Sequence, residues 1–426
     1  MSASQSPLTA VIVGAGNRGY QYACHSLDHP DDLKIVGVVE PDDFRRERAR
    51  RTFDLPEDRC FRRFDELMAQ PKMADAIING TMDRDHVATS VPALEAGYDM
   101  LLEKPICGTR AELCRLIEVV RRTQRRVLIC HVLRYAPFYA EIRRRVADGA
   151  VGDILTIHTA EYVSYHHMSA AFVRGRWRRR DTASPILLAK CCHDLDIICW
   201  MKSGVAPRRV SSFGSRTFYI ESNAPEGAGT RCVDCAIEPE CSFSARKHYL
   251  EQGLWGFYAW EPIQHIEHPT EEDKIASLKG DNPWGKCVFR SDNDVVDHQS
   301  VVTEFADGAI STHGLVGTAS SGRRVIHIVG TRGEIEGVME HGKFVVRTIA
   351  PKAGQEYVEE TVDVSLAGSG HGGGDSLLVE DFVRVLRGQP ASLSTTELMD
   401  SVNSHLMAYA ADEAMREGRV VPIEPV

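Results

Sequence analysis

Residues 8–19 read LTAVIVGAGNRG, and the interpretation of this stretch decides the fold. A short apolar strand runs straight into three glycines, Gly14, Gly16 and Gly19, in G-x-G-x-x-G spacing. A helical segment continues to about Leu27, HPDD breaks it, and LKIVGVVE forms a second strand ending on Glu40. Each glycine has a mechanical purpose. Gly14 permits a tight turn, Gly16 lets a pyrophosphate approach the backbone, and Gly19 lets helix and strand pack closely, so that the helix N-terminus faces the phosphates. An isolated glycine motif is a weak signal. Here it lies between a strand and a helix with an acidic residue 21 positions beyond Gly19, the arrangement of a dinucleotide site. Asn17 and Arg18 lie inside the loop and are expected to join the cofactor contacts. Glu40 is expected to bind the ribose hydroxyls, and Asp42 and Asp43 would repel a 2′-phosphate, so NAD is favoured over NADP. Arg45 and Arg46 weigh the other way.

The alternation of strand and helix continues. ADAIING is a third strand, followed by Thr81 and a helix from about His86 to Ala96 that contains Pro92. YDMLL is a fourth strand, ending in Glu103-Lys104-Pro105, where the bond before Pro105 is a candidate for the cis form. A T-x-x-E capping box from Thr109 to Glu112 opens the next helix, with Leu113, Leu116, Ile117 and Val120 on its apolar face. RVLIC is a fifth strand, ending at His131 and Arg134. In open parallel sheets ligands bind beyond the carboxyl ends of the strands. Gly14, Glu40, Thr81, Lys104 and His131 all fall at such ends, with His86 and Glu103 beside them. Lys104, pinned between a strand end and a proline, reads as functional; a surface ion pair with Glu103 is the plainer alternative.

Composition sets limits. A chain of 426 residues is long enough for two domains, and the 43% apolar content suits a sizeable core. No apolar run reaches the ~18 residues of a membrane span, and MSASQSPL lacks the pattern of a signal peptide. A net charge of −10 argues against a nucleic-acid partner, although RRERARR and RGRWRRR are locally basic. Twelve cysteines without a secretion signal point to reduced thiols in a cytoplasm.

From about residue 135 the pattern changes. After a helix from Pro137 to Asp148, GDILTIHTAEYV alternates like a half-buried strand, and SVVTEFADGAISTHGLVG reads as two strands around Asp307-Gly308. RVIHIVGTRGEIEGVME and KFVVRTI add more strands, giving a mostly antiparallel sheet and an α+β domain over 135–426 beside the α/β domain of 1–134. The tail from Asp375 to Gly418 is helical, broken around RGQPAS, and residues 221–290 form a long irregular stretch.

LAKCCHDLDIICW, Leu188–Trp200, has helical periodicity with Leu188, Leu195, Ile198 and Trp200 available for burial. Consecutive helix positions lie about 100° apart, so Cys191, Cys192 and His193 cannot converge on one ion. His193 and Asp196 share a face and can present a histidine with a carboxylate beside it; a hydrogen-bonded core histidine is the other reading. In RCVDCAIEPEC, Cys232, Cys235 and Cys241 are close enough to suggest structural zinc, with Cys287 or His248 as fourth ligand. Three free thiols are the alternative.

On VIVGAGNRG, TMDRDHVATSVPALEAGYDMLLEKP, HDLD and GHGGGD, the chain resembles the Gfo/Idh/MocA oxidoreductases, named for glucose–fructose oxidoreductase and inositol dehydrogenase, over nearly its whole length. The resemblance implies a Rossmann domain joined to a large, mostly antiparallel open sheet, an active site between them, NAD(P), and sugar or cyclitol substrates. It also implies a homo-oligomer, built through the exposed sheet face. Lys104 matches the family's EKP lysine. His193 matches the histidine of D-x-G-x-H-x-x-D and Asp196 its last acid. The first acid falls on Ala189 and the glycine on Cys191, so the usual carboxylate is missing and Lys190 stands next door. A mechanism relying on a Lys–Asp–His trio is thereby weakened, whereas a Lys–His pair survives. A histidine with an ordinary pKa of about 6.5 suits removal of a hydroxyl proton, and Lys104 suits stabilisation of the resulting alkoxide. Arg134, Tyr162, His166, Trp177, Asp297, His298 and His371 are candidate sugar contacts, together with Lys190, His193 and Asp196. Three functions are compatible with these features: an NAD-dependent sugar or cyclitol dehydrogenase, an NAD-dependent glycoside-cleaving enzyme using transient oxidation and elimination, and a non-catalytic nucleotide-sensing regulator. Retention of both Lys104 and His193 favours an enzyme.

Overall fold

A computed structural model of the chain describes residues 6–364 and 373–426. The first sheet contains β1 (Leu8–Val13), β2 (Leu33–Val39), β3 (Cys60–Phe61), β4 (Ala76–Asn79), β5 (Asp99–Leu102) and β6 (Val127–Ile129). Its order is β3-β2-β1-β4-β5-β6, with every pair parallel. These strands are near-continuous apolar runs because helices cover both faces. The two-residue edge strand β3 is too short to show a pattern in the sequence, so the strands read there as third to fifth are β4 to β6. The order reverses between β1 and β4, which opens a crevice where the glycine loop lies. Helices Asn17–Asp28, Asp43–Thr52, His86–Glu95 and Arg110–Thr123 follow β1, β2, β4 and β5. Thr109 and Glu112 close the expected capping box. The last of these helices buries Leu113, Leu116, Ile117 and Val119; Val120 is only half-buried.

The second sheet contains β7 (Ile154–Ser164), β8 (Pro207–Ser215), β9 (His298–Phe305), β10 (Ile310–Ala319), β11 (Arg323–Gly330), β12 (Gly333–Val338), β13 (Lys343–Lys352), β14 (Gln355–Asp363) and β15 (Val421–Pro422). Its order is β14-β13-β12-β11-β7-β10-β9-β8-β15; β7 and β10 run parallel and the other pairs are antiparallel. Gly308, at φ +88°, makes the tight turn between β9 and β10. Burial alternates along β10 and β11, so one face is wet and the other packs on helices. The inner face, with Leu315, Ile326 and Ile328, shares a core with Leu195 and Ile198 of the helix Cys192–Met201 and with Met407 and Ala411 of the helix Leu398–Glu417. Each such side chain contributes roughly 1.5–3 kcal/mol by leaving water.

A division at residue 134 separates the sheets but not the helices. Leu378, Val379 and Phe382 of the helix Gly374–Leu386 pack with Ala10, Ile12 and Ile35, and Leu398, Val402 and Leu406 pack with Val11, Ile77 and Leu102. The stretch between β8 and β9 is a chain of short helical turns with one nine-residue helix, Glu271–Lys279, and has a small core of its own around Tyr249, Leu278 and Trp284. Among the described residues, no helix is long and apolar enough to cross a membrane.

Candidate active site

The glycine loop has the geometry a dinucleotide needs. Gly14 sits at φ +85°, and a Cβ there would lie 2.7 Å from the Gly80 backbone. A Cβ on Gly19 would lie 2.2 Å from the Gly14 carbonyl oxygen, so only glycine lets the helix approach. Among the described residues, a Cβ on Gly16 would meet nothing within 4 Å, and no side chain caps the helix that begins at Asn17, which leaves its first amides facing that open space. These residues fit a pyrophosphate. Arg18 is already engaged by carboxylates. It pairs with Glu103 at 3.0 Å and Asp375 at 2.6 Å, tying the loop to the strand-end bend and to the helix Gly374–Leu386. Glu40 is buried at the end of β2, where it accepts the Asp42 amide at 3.0 Å and Arg45 Nε at 3.2 Å.

The ends of β4, β5 and β6 are braced from behind. Thr81 Oγ1 donates to Asn79 Oδ1 at 2.8 Å. His86 is turned inward, its ring nitrogens 2.7 Å from the Pro105 carbonyl and 3.1 Å from that of Thr81. It holds the two bends together and makes no surface available to a cofactor. The Lys104–Pro105 peptide is cis. Glu103 is buried, accepts from Arg18, from the Tyr22 hydroxyl at 2.8 Å and from the Lys104 amide at 2.5 Å, and those partners hold its pKa down against burial. His131 is fully sealed, so it supports the site without lining it, and burial keeps its ring neutral. His405, unnoticed in the sequence, accepts the Ile106 amide at 2.9 Å and donates to the Ser401 carbonyl at 2.9 Å.

Lys104 crosses to the second domain. The segment read as one helix is two, Ile186–Ala189 and Cys192–Met201, because Cys191 leaves helical geometry at φ −92°, ψ 6°. Lys104 Nζ donates to the Ala189 carbonyl at this break, 3.3 Å away. His193 lies in the first turn beyond the break, 3% exposed and edge-on to His131 at 5.6 Å between centroids. Burial pushes the Cys192 thiol up to about 12 and Cys191 well above its usual range, so neither is a nucleophile. His167 stacks on Trp255, centroids 4.0 Å apart. Burial and the charges of Lys190, Arg324 and Lys104 keep His167 neutral.

Beneath these groups lies a buried ionic cluster. Glu161 pairs with Lys190 at 3.2 Å and with Arg324 at 2.6 Å, and Arg324 also approaches Asp194 at 3.3 Å. Burial pushes the Asp194 carboxyl up to about 7; Glu161 adds to the rise, while Arg324 and Lys190 oppose it. Cys191, Asp194 and His313 do present ligand atoms within 4.8 Å of one another, a trio the sequence spacing did not reveal. Two cations already balance the two carboxylates there, which disfavours adding a metal ion.

Several expected sugar contacts lie elsewhere. Arg134 and Asp196 are 3% and 1% exposed and form a two-pronged ion pair, both bonds 2.7 Å. Arg134 also donates to the Asp400 carbonyl at 3.3 Å, so the pair is held inside the fold and away from solvent. Tyr162 projects from the outer face of β7 beneath Arg323, 4.4 Å from its ring centroid; Glu161 is the inward neighbour. Asp297 accepts the amides of Thr217, Phe218 and Tyr219, and His298 Nδ1 donates to it at 2.7 Å, which makes both structural. His166 accepts Trp255 Nε1–H at 2.8 Å and faces the insert rather than the lysines. Trp177 meets Tyr258 edge-on at 5.8 Å. His371 lies outside the described residues. The aromatic wall of Trp255 and Tyr258 comes from GLWGFYAW, whose density of rings in a loop was the available signal. This segment also reaches the cofactor side: Glu261 pairs with Arg45 at 2.7 Å and with Arg176, and Gln264 donates to Asp42 at 3.0 Å.

The sequence matches the description "Oxidoreductase family, NAD-binding Rossmann fold" over residues 8–131 and "Oxidoreductase family, C-terminal alpha/beta domain" over residues 143–423, the two halves of the Gfo/Idh/MocA family. It is 26% identical over 329 residues to the Bacillus subtilis protein YteT, named as an oxidoreductase, covering 75% of this chain and 74% of that one. It is 24% identical over 221 residues to the inositol 2-dehydrogenase of Corynebacterium glutamicum, covering 50% of this chain and 57% of that enzyme's length. Among solved structures, levoglucosan dehydrogenase in complex with NADH has a TM-score of 0.72 at 15% identity, covering 99% of this chain and all (100%) of that one.

Proposed function

The chain belongs to the Gfo/Idh/MocA oxidoreductase family, and on that footing we propose that it is an NAD-dependent dehydrogenase acting on a hydroxyl-bearing carbon of a sugar, cyclitol or related derivative. The observation that carries this reading is Lys104, delivered from the end of β5 to the helix break that presents His193. NAD, when bound along Gly14, Gly16, Asn17 and Glu40, supplies the acceptor for the substrate's hydride. His193 removes the hydroxyl proton, and the Lys104 ammonium stabilises negative charge on the oxygen. His167 and Lys190 border the same region, and Trp255, Tyr258 and Trp177 offer the apolar faces a sugar ring packs against. NAD is preferred over NADP because the arginines near the ribose end are engaged: Arg45 by Glu40 and Glu261, and Arg46 by Asp43 and the Glu40 carbonyl.

The bonds from Glu261 and Gln264 to the ribose side favour a second reading, in which the cofactor stays bound through a cycle of oxidation, elimination and re-reduction that cleaves a glycoside. One assay separates the two. Purified protein is given NAD with a panel of sugars, cyclitols and glycosides, and both reduced-cofactor absorbance and leaving-group release are followed. Net reduction supports the dehydrogenase, whereas cleavage without net reduction supports the second reading. In either case Lys104→Ala is expected to lower turnover by about a thousandfold with NAD binding retained; turnover near wild type would remove Lys104 from the mechanism.

A further inference from the structure

Cys232, Cys235, Cys241 and Cys287 line a single cavity of about 20 Å³ in the insert, room for one water-sized or ion-sized occupant. They come from three separate turns, and all are free thiols. N–H groups are turned toward three of the four sulfurs: Arg174 donates to Cys232 at 3.1 Å, the Gly229 amide to Cys235 at 3.2 Å, and the Phe243 amide to Cys241 at 3.4 Å. A neutral thiol is a weak acceptor, so this ring of donors is suited to thiolates.

Charge makes the same point independently. Arg174 is 0% exposed, and its other bonds go to the carbonyls of Lys286 and Phe243 and to the Tyr249 hydroxyl. Arg231, half-buried at the cavity wall, donates to the carbonyls of Leu278 and Asn282. Among the described residues neither has a carboxylate partner, and Glu238 at the rim is held by the Ser244 hydroxyl. A permanently charged guanidinium without an anion is costly to bury. Four thiolates around one divalent cation leave two negative charges, which would balance the buried Arg174 and face the half-buried Arg231.

We propose that the insert holds a structural zinc ion on Cys232, Cys235, Cys241 and Cys287. A closed four-sulfur site suits zinc, at Zn–S distances of about 2.3 Å. The trios of ligand atoms already within 4.8 Å of one another lie elsewhere, so binding draws the four sulfurs inward around the ion. The metal staples a small core that short helical turns cannot stabilise unaided, and it thereby supports the segment carrying Trp255, Tyr258 and Glu261. The proposal stands apart from the dehydrogenase reading.

The test is elemental analysis of the full-length protein, purified under reducing conditions without added metal or a metal-affinity step. About one zinc per chain is expected, falling to near zero in Cys235→Ser/Cys287→Ser. Should that variant fail to fold, wild-type protein grown on cobalt decides the matter: the thiolate-to-cobalt charge-transfer bands of a tetrahedral four-sulfur site are expected. Folded, reduced wild-type protein with no zinc, stoichiometric iron in its place, or a disulfide among the four cysteines by mass would each overturn the assignment.

Discussion

His405 fixes the bend that carries Lys104. Its ring accepts from Ile106 and donates to Ser401, so the neutral tautomer is specified on both sides, and burial pushes its pKa down to about 4. Above about pH 6.5 the ring is neutral whether folded or unfolded. As pH falls below that, the unfolded chain takes up a proton that the folded chain refuses until about pH 4, so stability is lost across this window, by about 3 kcal/mol for this group. His405→Gln is expected to reduce the decline between pH 7 and pH 5 measured by urea unfolding, and to lower turnover through displacement of Lys104. An unchanged slope would show that the unfolded state compensates. Arg134 and Asp196, read separately in the sequence as candidate sugar contacts, meet each other instead, buried and joined by two bonds of 2.7 Å.

At the scale of elements, the insert is the informative part. A loop without a long periodic helix nevertheless carries its own core and reaches across to Arg45 and Asp42. Glu261→Gln releases one carboxylate from Arg45 and is expected to raise kcat/KM with NADP roughly fivefold, the equivalent of about 1 kcal/mol for a partly buried ion pair. Cofactor kinetics measure this; unaltered selectivity would leave the discrimination to Glu40, Asp42 and Asp43. Along β7, a single position separates Tyr162 on the outer face from Glu161 on the inner one. The two-residue period of a strand was legible, but which parity faced inward was not.

At the scale of the whole molecule, the chain closes on itself. Its last two helices cover both faces of the first sheet, so the nucleotide half depends on residues more than 240 positions downstream of its last strand (Ile129 to Leu378 and beyond). The outer face of the second sheet leaves Phe213 77% exposed, with Val302, Ile310 and Ile349 also in water. A second copy covering that face would bury them. Light scattering is expected to give a mass of at least twice 47.3 kDa, and Phe213→Glu to shift it toward the monomer; a monomeric wild type would exclude this contact.

The sequence by itself determined what depends on local order. The glycine spacing, the strand–helix alternation, the Thr109 capping box, the β9–β10 turn and the placement of Lys104 at a strand end all rest on neighbours within a few residues, and each was readable. Tertiary structure alone decided which polar groups meet. Glu261 with Arg45, His405 with Ile106, Glu161 with Lys190 and Arg324, and Arg174 with Cys232 pair residues from 29 to 299 positions apart. No periodicity encodes such partners. Burial chooses them, because a polar or charged group withdrawn from water must find its counterpart wherever the folded chain has brought one.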